Sequence, residues 1–293
     1  MSRHEIAGAG LSAVVQDAGA ELCALRTAGG HDVLWQGMAP WPRHAPVLFP
    51  IVGRLKGDAL HHGGRSYRMT QHGFARDRRF DWLARTPDSC RLVLVDDAAS
   101  RAIYPFAFRF EVAYQVTDDR LTVTFMVANT GDEILPACLG AHPAFRWPLR
   151  EGVAKTAHRL EFAVDETAPI RRIDGGLLSP EPHPNPVEGR VLALNDALFA
   201  PDAIIMDHPA SRSVRYSAPG TPVVEVSWDA GFPELGIWSR PDAALLCIEP
   251  WHGMTSPIDF DGAFADKPGV MLIPPGESRS AIHAIRVSDG LTQ

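Results

Sequence analysis

Apolar and polar residues alternate with a period of two along much of this chain. Phe108, Phe110, Val112 and Tyr114 are interleaved with Arg109, Glu111 and Ala113. Asp118-Asp119 marks a turn, after which Leu121, Val123, Phe125 and Val127 alternate with Thr122, Thr124 and Met126. A strand puts successive side chains on opposite faces, so each run has one face to bury. Closed by Asn129-Thr-Gly131-Asp132, the two runs predict an antiparallel hairpin.

Shorter pieces of the same kind recur. Leu92–Val95, Leu160 to Val164, Ala203–Met206, Val223–Trp228 and Ala243–Ile248 are β-rich or strongly apolar. Val270–Ile273, the turn Pro274-Pro-Gly-Glu277 and Ala281–Val287 read as strand, turn, strand. The 25 Gly and 25 Pro are scattered and leave no room for long helices. Helix candidates are few and short, for example Pro257 to Asp266. Many short strands between turns predict an all-β fold, a sandwich or barrel. Pro180 to Pro186 reads as a long surface loop, because β alternation continues on both sides of it. The chain is therefore expected to form one domain over residues 1–293.

Composition narrows the partners. A chain of 293 residues that is 45% hydrophobic can build a core without staples. The formal net charge of -7 argues against a nucleic-acid footprint and a polybasic membrane anchor. Cys23, Cys90, Cys138 and Cys247 show no C-x-x-C spacing and read as buried free thiols in a reducing compartment. No apolar run approaches the ~18 residues of a membrane span, and the N-terminus lacks a signal-peptide pattern. A cytoplasmic location without membrane contact is expected.

The residues suited to chemistry lie at strand ends and in loops, where a rigid scaffold presents functional groups. Arg54 and the His72-Gly-Phe-Ala-Arg76 run place cations and an imidazole beside glycines, which let a ligand approach the backbone. Surface ion pairs and a turn histidine would account for them equally. His142 lies among small residues before Pro143, either as a core histidine or as an acid that titrates near neutrality. Glu249 ends the apolar run Leu245-Leu-Cys-Ile. A carboxylate there is either a strand cap or a base whose pKa is raised by apolar flanks. Trp251 adds an aromatic face that suits the C–H faces of a sugar. Walker, H-E-x-x-H and G-x-S-x-G patterns are missing, as is a strand–GxGxxG–helix unit. His61-His62 reads as a solvated loop pair rather than a metal site.

Taken in order, several segments resemble the aldose 1-epimerase (galactose mutarotase-like) family, and most of all its LacX-like branch. They are Phe49-Pro-Ile-Val-Gly-Arg54, Gln71-His72-Gly-Phe-Ala-Arg76, Gly140-Ala-His142-Pro-Ala-Phe145, Leu235-Gly-Ile-Trp238-Ser, Cys247-Ile-Glu249-Pro-Trp251 and Pro274-Pro-Gly-Glu277. The resemblance spans nearly the whole chain. It implies a large antiparallel β-sandwich with a sugar cleft, no cofactor and no metal, acting as a monomer or homodimer on a small-molecule sugar. It matches Glu249 to a catalytic base and His142 to a catalytic acid, with Arg54, His72 and, by a looser local match, Asp202 holding the sugar. The galactose-specific branch has an Asn-Arg pair where Arg54 is followed here by Leu-Lys-Gly-Asp58, and a glycine pair where His72 is followed by Gly-Phe. The resemblance thus implies a sugar without implying galactose. The Gln-His-Gly-Phe-Ala-Arg run is also similar to that of hexose-6-phosphate mutarotases, in which case Arg76 and Arg54 would clamp a phosphate.

The expected chemistry is interconversion of α and β anomers by acid–base ring opening and reclosure. His142 would start protonated and Glu249 ionised, giving a bell-shaped pH dependence. A non-catalytic carbohydrate-binding or sensing sandwich is the other class. It would keep Trp251 and the arginines but would not need Glu249 and His142 to face one ring.

Overall fold

The computed structural model describes residues 1–288. Its backbone is almost entirely strand and loop. Two large antiparallel sheets dominate. The nine-stranded sheet runs, edge to edge, Val191–Ala193, Arg159–Phe162, Ser213–Ser217, Val223–Trp228, Ser278–Ser288, Arg120–Asn129, Phe108–Thr117, Ser89–Val95 and Asp81–Arg85. The six-stranded sheet is ordered Ile204–Met206, Glu234–Trp238, Leu245–His252, Leu139–Ala141 and Val47–Leu48, with Ala144–Arg146 also paired to Leu245–His252. Arg3–Ala7, Leu11–Gln16 and Leu22–Thr27 form a third, three-stranded sheet.

The expected hairpin lies in the interior of the large sheet, next to its central strand Ser278–Ser288. Phe108–Thr117 pairs with Arg120–Asn129 in unbroken register, and Asp118-Asp119 makes the turn. Asp118 takes a φ of 52°, which the short side chain of Asp tolerates better than most. Phe108, Phe110, Val112, Tyr114, Leu121, Val123, Phe125 and Val127 are all buried, as the alternation requires. They meet the smaller sheet and its loops. Phe49 follows the Val47–Leu48 strand and stacks on Phe110 with ring centroids 4.8 Å apart, and Phe125 meets Phe232 edge-on at 5.8 Å. One continuous apolar cluster runs from the N-terminal strands to Val287. This is an all-β sandwich, one of the two architectures the pattern predicts and the one the resemblance implies.

Several local expectations are corrected. Pro257 to Asp266 is not a helix. It holds only a 3₁₀ turn at Phe264–Asp266, and the one α-helix among the described residues is the four-residue Ala98–Arg101. The apolar run at Ala243 starts its strand two residues later and extends it to His252, because Ala243 N–H is taken by a turn to Arg240. Val164 falls beyond the Arg159–Phe162 strand and is exposed. His61 and His62 belong to a small two-stranded hairpin rather than a loop, where His62 packs on Phe106 and reaches Glu133 at 3.2 Å. All four cysteines are free and buried. No helix among the described residues is long and apolar enough to cross a membrane.

Candidate functional site

A proline shapes the centre of the site. Leu139–Ala141 and Ala144–Arg146 pair with the same neighbour, Leu245–His252, but as two segments. Pro143 has no N–H to continue the ladder, and it holds the residue before it extended. The chain therefore breaks at His142, and the imidazole crosses towards the neighbouring strand. On that strand Cys247, Glu249 and Trp251 are two apart and share a face.

The result is a buried pair. His142 Nε2 lies 3.2 Å from Glu249 Oε2. The two atoms are in contact without forming a hydrogen bond, and Glu249 Oε2 lacks a hydrogen-bond partner among the described residues, as does the other ring nitrogen, His142 Nδ1. Glu249 is 1% exposed and His142 6%. A buried carboxylate oxygen without a hydrogen-bond donor is costly and signals a group kept for chemistry rather than for capping. Burial pushes the Glu249 carboxyl well above its usual range; the Asp202 charge adds to this and the Trp251 side chain opposes it. Burial, aided by the Arg76 charge, pushes His142 down to about 3. Each environment favours the neutral form of its group.

The pair opens on a cavity of about 290 Å³. Trp251 forms one wall, and its indole lies so close over Gly236 that a Cβ there would collide with the ring. Trp41 and Trp238 pack against His142 from two sides, with centroids 5.3 and 6.0 Å away.

The opposite side comes from two loops stitched together. His72 N–H donates to Gly53 O at 2.7 Å, and Phe74 N–H donates to Phe49 O at 3.0 Å. Gly73 takes a φ of 72° with its α-carbon against the Phe49 carbonyl, so any side chain would break this contact. His72 has a φ of 64° and accepts from Gly53 N–H through Nδ1 at 3.1 Å. That bond leaves Nε2 carrying the proton, a donor towards the cavity. Burial and the neighbouring His142, Arg76 and Arg43 hold the His72 pKa well below normal, so it donates as a neutral ring. Arg76 is anchored by one hydrogen bond from Nη2 to Gln71 O at 2.7 Å, while its buried Nε makes no hydrogen bond among the described residues and lies 3.9 Å from the Asp77 carboxylate. Burial and the Arg43 charge bring its pKa down to about 10.

The site residues expected from sequence fare unequally. Glu249, His142, His72, Arg76, Asp202 and Trp251 all line the one cavity. Asp202 is held at a φ of 70° with its carboxylate accepting from Ala203 N–H. Arg54 is the exception, set beside the cavity-lining Gly176 rather than in the cavity wall itself. Its guanidinium makes a two-point ion pair with Asp58, at 2.6 and 2.9 Å, and is not part of the cavity wall. It contributes through its backbone instead, bonding Thr255 and Ser256 at the cavity edge. The pairing was visible in principle, since Arg54 and Asp58 are four residues apart.

Trp41 and Arg240 are cavity residues that sequence reading missed. The available signal for Trp41 was an aromatic set between Pro40 and Pro42, too rigid a segment for a merely solvated loop. For Arg240 there was no comparable signal.

Fold and site thus define an antiparallel β-sandwich with a buried carboxyl–imidazole pair at the floor of an aromatic-walled cavity. The chain belongs to the aldose 1-epimerase family, whose profile matches residues 3–272. It is 30% identical over 284 residues to the plasmid-borne protein LacX of Lactococcus lactis subsp. lactis, covering 92% of this chain and 94% of that one. A solved galactose mutarotase related enzyme from Lactobacillus acidophilus superposes with a TM-score of 0.88 at 31% identity, covering 98% and 97% of the two chains. A galactose mutarotase-like protein from Lactobacillus casei gives a TM-score of 0.90 at 26% identity, covering 98% and 100%.

Proposed function

We propose that this protein is a mutarotase that interconverts the anomers of an aldose, with Glu249 as base and His142 as acid. One observation carries the reading: the 3.2 Å approach of His142 Nε2 to Glu249 Oε2 at the wall of a cavity large enough for one sugar ring. The anomeric hydroxyl oxygen and the ring oxygen share a single carbon. Acid and base must therefore reach two neighbouring atoms, which an adjacent pair does. The single proton of the pair is sufficient. Sugar hydroxyls that donate to the Glu249 carboxylate favour its ionised form. The proton then moves to His142 without exchange with solvent. Glu249 takes the proton of the C1 hydroxyl while His142 protonates the ring oxygen. The C1–O5 bond opens to the aldehyde, rotation about C1–C2 presents its other face, and reclosure with the transfers reversed gives the other anomer.

The Trp251 ring, the neutral His72 donor and the Asp202 carboxylate supply the contacts a sugar needs: an apolar face, a donor and an acceptor. The continuous core supports treating the chain as one domain. The convergence of Glu249 and His142 counts against a purely binding sandwich, which would not need it.

A second reading, a phosphosugar mutarotase, is favoured by Arg76, whose partly unpartnered guanidinium lines the cavity. It has lost its expected second arm, since Arg54 is committed to Asp58.

An NMR anomer-exchange panel of hexoses, pentoses and their 6-phosphates tests both readings. Glu249→Gln and His142→Asn should each slow exchange by ~10²–10⁴-fold while remaining folded. Wild-type exchange rates in either variant would overturn the catalytic reading. Activity confined to free sugars and unaffected by Arg76→Ala would remove the phosphosugar reading.

A further inference from the structure

The geometry points to a second use of the same pocket: a site for a thiophilic divalent cation of the Zn²⁺ class, formed by Cys247, Glu249 and His142, whose occupancy blocks the catalytic pair. The inference rests on the proposed function for its inhibitory consequence, but not for the binding itself.

Three potential ligand atoms converge. The Cys247 sulfur, a Glu249 carboxylate oxygen and a His142 ring nitrogen all lie within 4.8 Å of one another, and all three residues are buried. Strand geometry produces this, since Cys247 and Glu249 are two apart on one face and Ala144 is registered against Cys247, bringing His142 alongside. Thiolate, imidazole and carboxylate form a donor set typical of zinc, whose Zn–S, Zn–N and Zn–O distances are about 2.3, 2.0–2.1 and 2.0–2.2 Å. The 3.2 Å between His142 Nε2 and Glu249 Oε2 is close to the separation of two ligands about 2 Å from one tetrahedral ion. Glu249 Oε2 has no hydrogen-bond donor among the described residues, so no existing bond need be broken for it to ligate. The adjoining cavity, lined by Glu249 and His142, provides the entry route to the fully buried Cys247. A bound cation would displace the proton of the pair and the thiol proton into solvent, so binding tightens as pH rises.

A second cluster serves as an internal contrast. Glu21, Cys23 and His44 also lie within 4.8 Å of one another. There, however, the Glu21 carboxylate already accepts from His44 N–H, Ala45 N–H and the Gln16 amide, so it is committed to holding the backbone.

The test is titration of the metal-free protein with Co²⁺, followed by Zn²⁺ competition. Wild type should give a one-to-one thiolate-to-cobalt charge-transfer band with four-coordinate visible bands. Cys247→Ala should abolish the band and weaken Zn²⁺ binding at least about tenfold, while Cys23→Ala should keep both. In the exchange assay, Zn²⁺ should inhibit wild type, and Cys247→Ala should resist it. If Cys247→Ala does not fold, loss of the four-coordinate spectrum in His142→Asn gives the same answer. No stoichiometric band in wild type, or a band that survives Cys247→Ala, overturns the inference. The spectrum does not depend on turnover. A band without mutarotation therefore leaves the cation site standing and removes the catalytic reading, and mutarotation without a band does the reverse.

Discussion

His142 Nε2 and Glu249 Oε2 lie 3.2 Å apart in a setting that disfavours charge on both. Burial brings the imidazole down to about 3 and raises the carboxyl well above its usual range. Both shifts count against a preformed imidazolium and carboxylate and favour a neutral pair that shares one proton. Gaining a second proton requires acid near the lowered His142 value, and losing the only one requires pH above the raised Glu249 value. The rate profile of kcat/KM should accordingly be flat through pH 6.5, where a free imidazole would titrate. Its alkaline limb should belong to Glu249. A profile with an inflection near 6.5 that disappears in His142→Asn would contradict the shared-proton state.

Asp202 raises the Glu249 pKa by like-charge repulsion across the cavity. Asn keeps its size and tolerates the positive φ of 70°. Asp202→Asn removes the repulsion, lowers the Glu249 pKa and should move the alkaline limb of the kcat/KM profile to lower pH. An unmoved or upward-shifted limb would show that the two carboxylates do not interact.

Gly236 lies beneath the Trp251 indole, and a methyl group there would overlap the ring. Overpacking a rigid contact typically costs about 1–3 kcal/mol. Gly236→Ala should lose that much stability in urea unfolding and should raise KM by tilting the aromatic wall. Unchanged stability together with unchanged KM would mean the wall is loosely held.

His283 is buried between Phe125 and Phe232 with Nδ1 lacking a partner among the described residues, and burial holds its pKa down to about 4. A free imidazole titrates at about 6.5. Between these values the unfolded chain binds a proton that the folded one refuses, so stability falls as pH drops from 6.5 towards 4. The span corresponds to at most about 3 kcal/mol. His283→Leu should flatten this part of the stability curve in denaturant titrations at several pH values. Glu234, raised to about 7 by burial, acts in the opposite sense, weakening the fold as pH rises from 4.5 towards 7. A slope unchanged by His283→Leu would place the acid sensitivity elsewhere.

The hairpin from Phe108 to Asn129 was determined by the sequence alone, because a period of two is a local property that survives any rearrangement of distant parts. Burial of the four cysteines and the placement of Glu249 on an apolar strand were legible for the same reason. The number of strands between the turns was enough to exclude a helical fold. The sequence could not determine which strand-end residues face one another. His142 reaches Glu249 only because two segments pair with one neighbour and Pro143 breaks the ladder between them. Arg54 left the cavity because Asp58 captured it, and Trp41 entered because a proline-rich loop folds over the sheet. Each of these depends on register and loop path, long-range quantities with no periodic trace along the chain. Alternation determined the scaffold, and tertiary packing decided that a buried carboxyl and an imidazole would lie 3.2 Å apart.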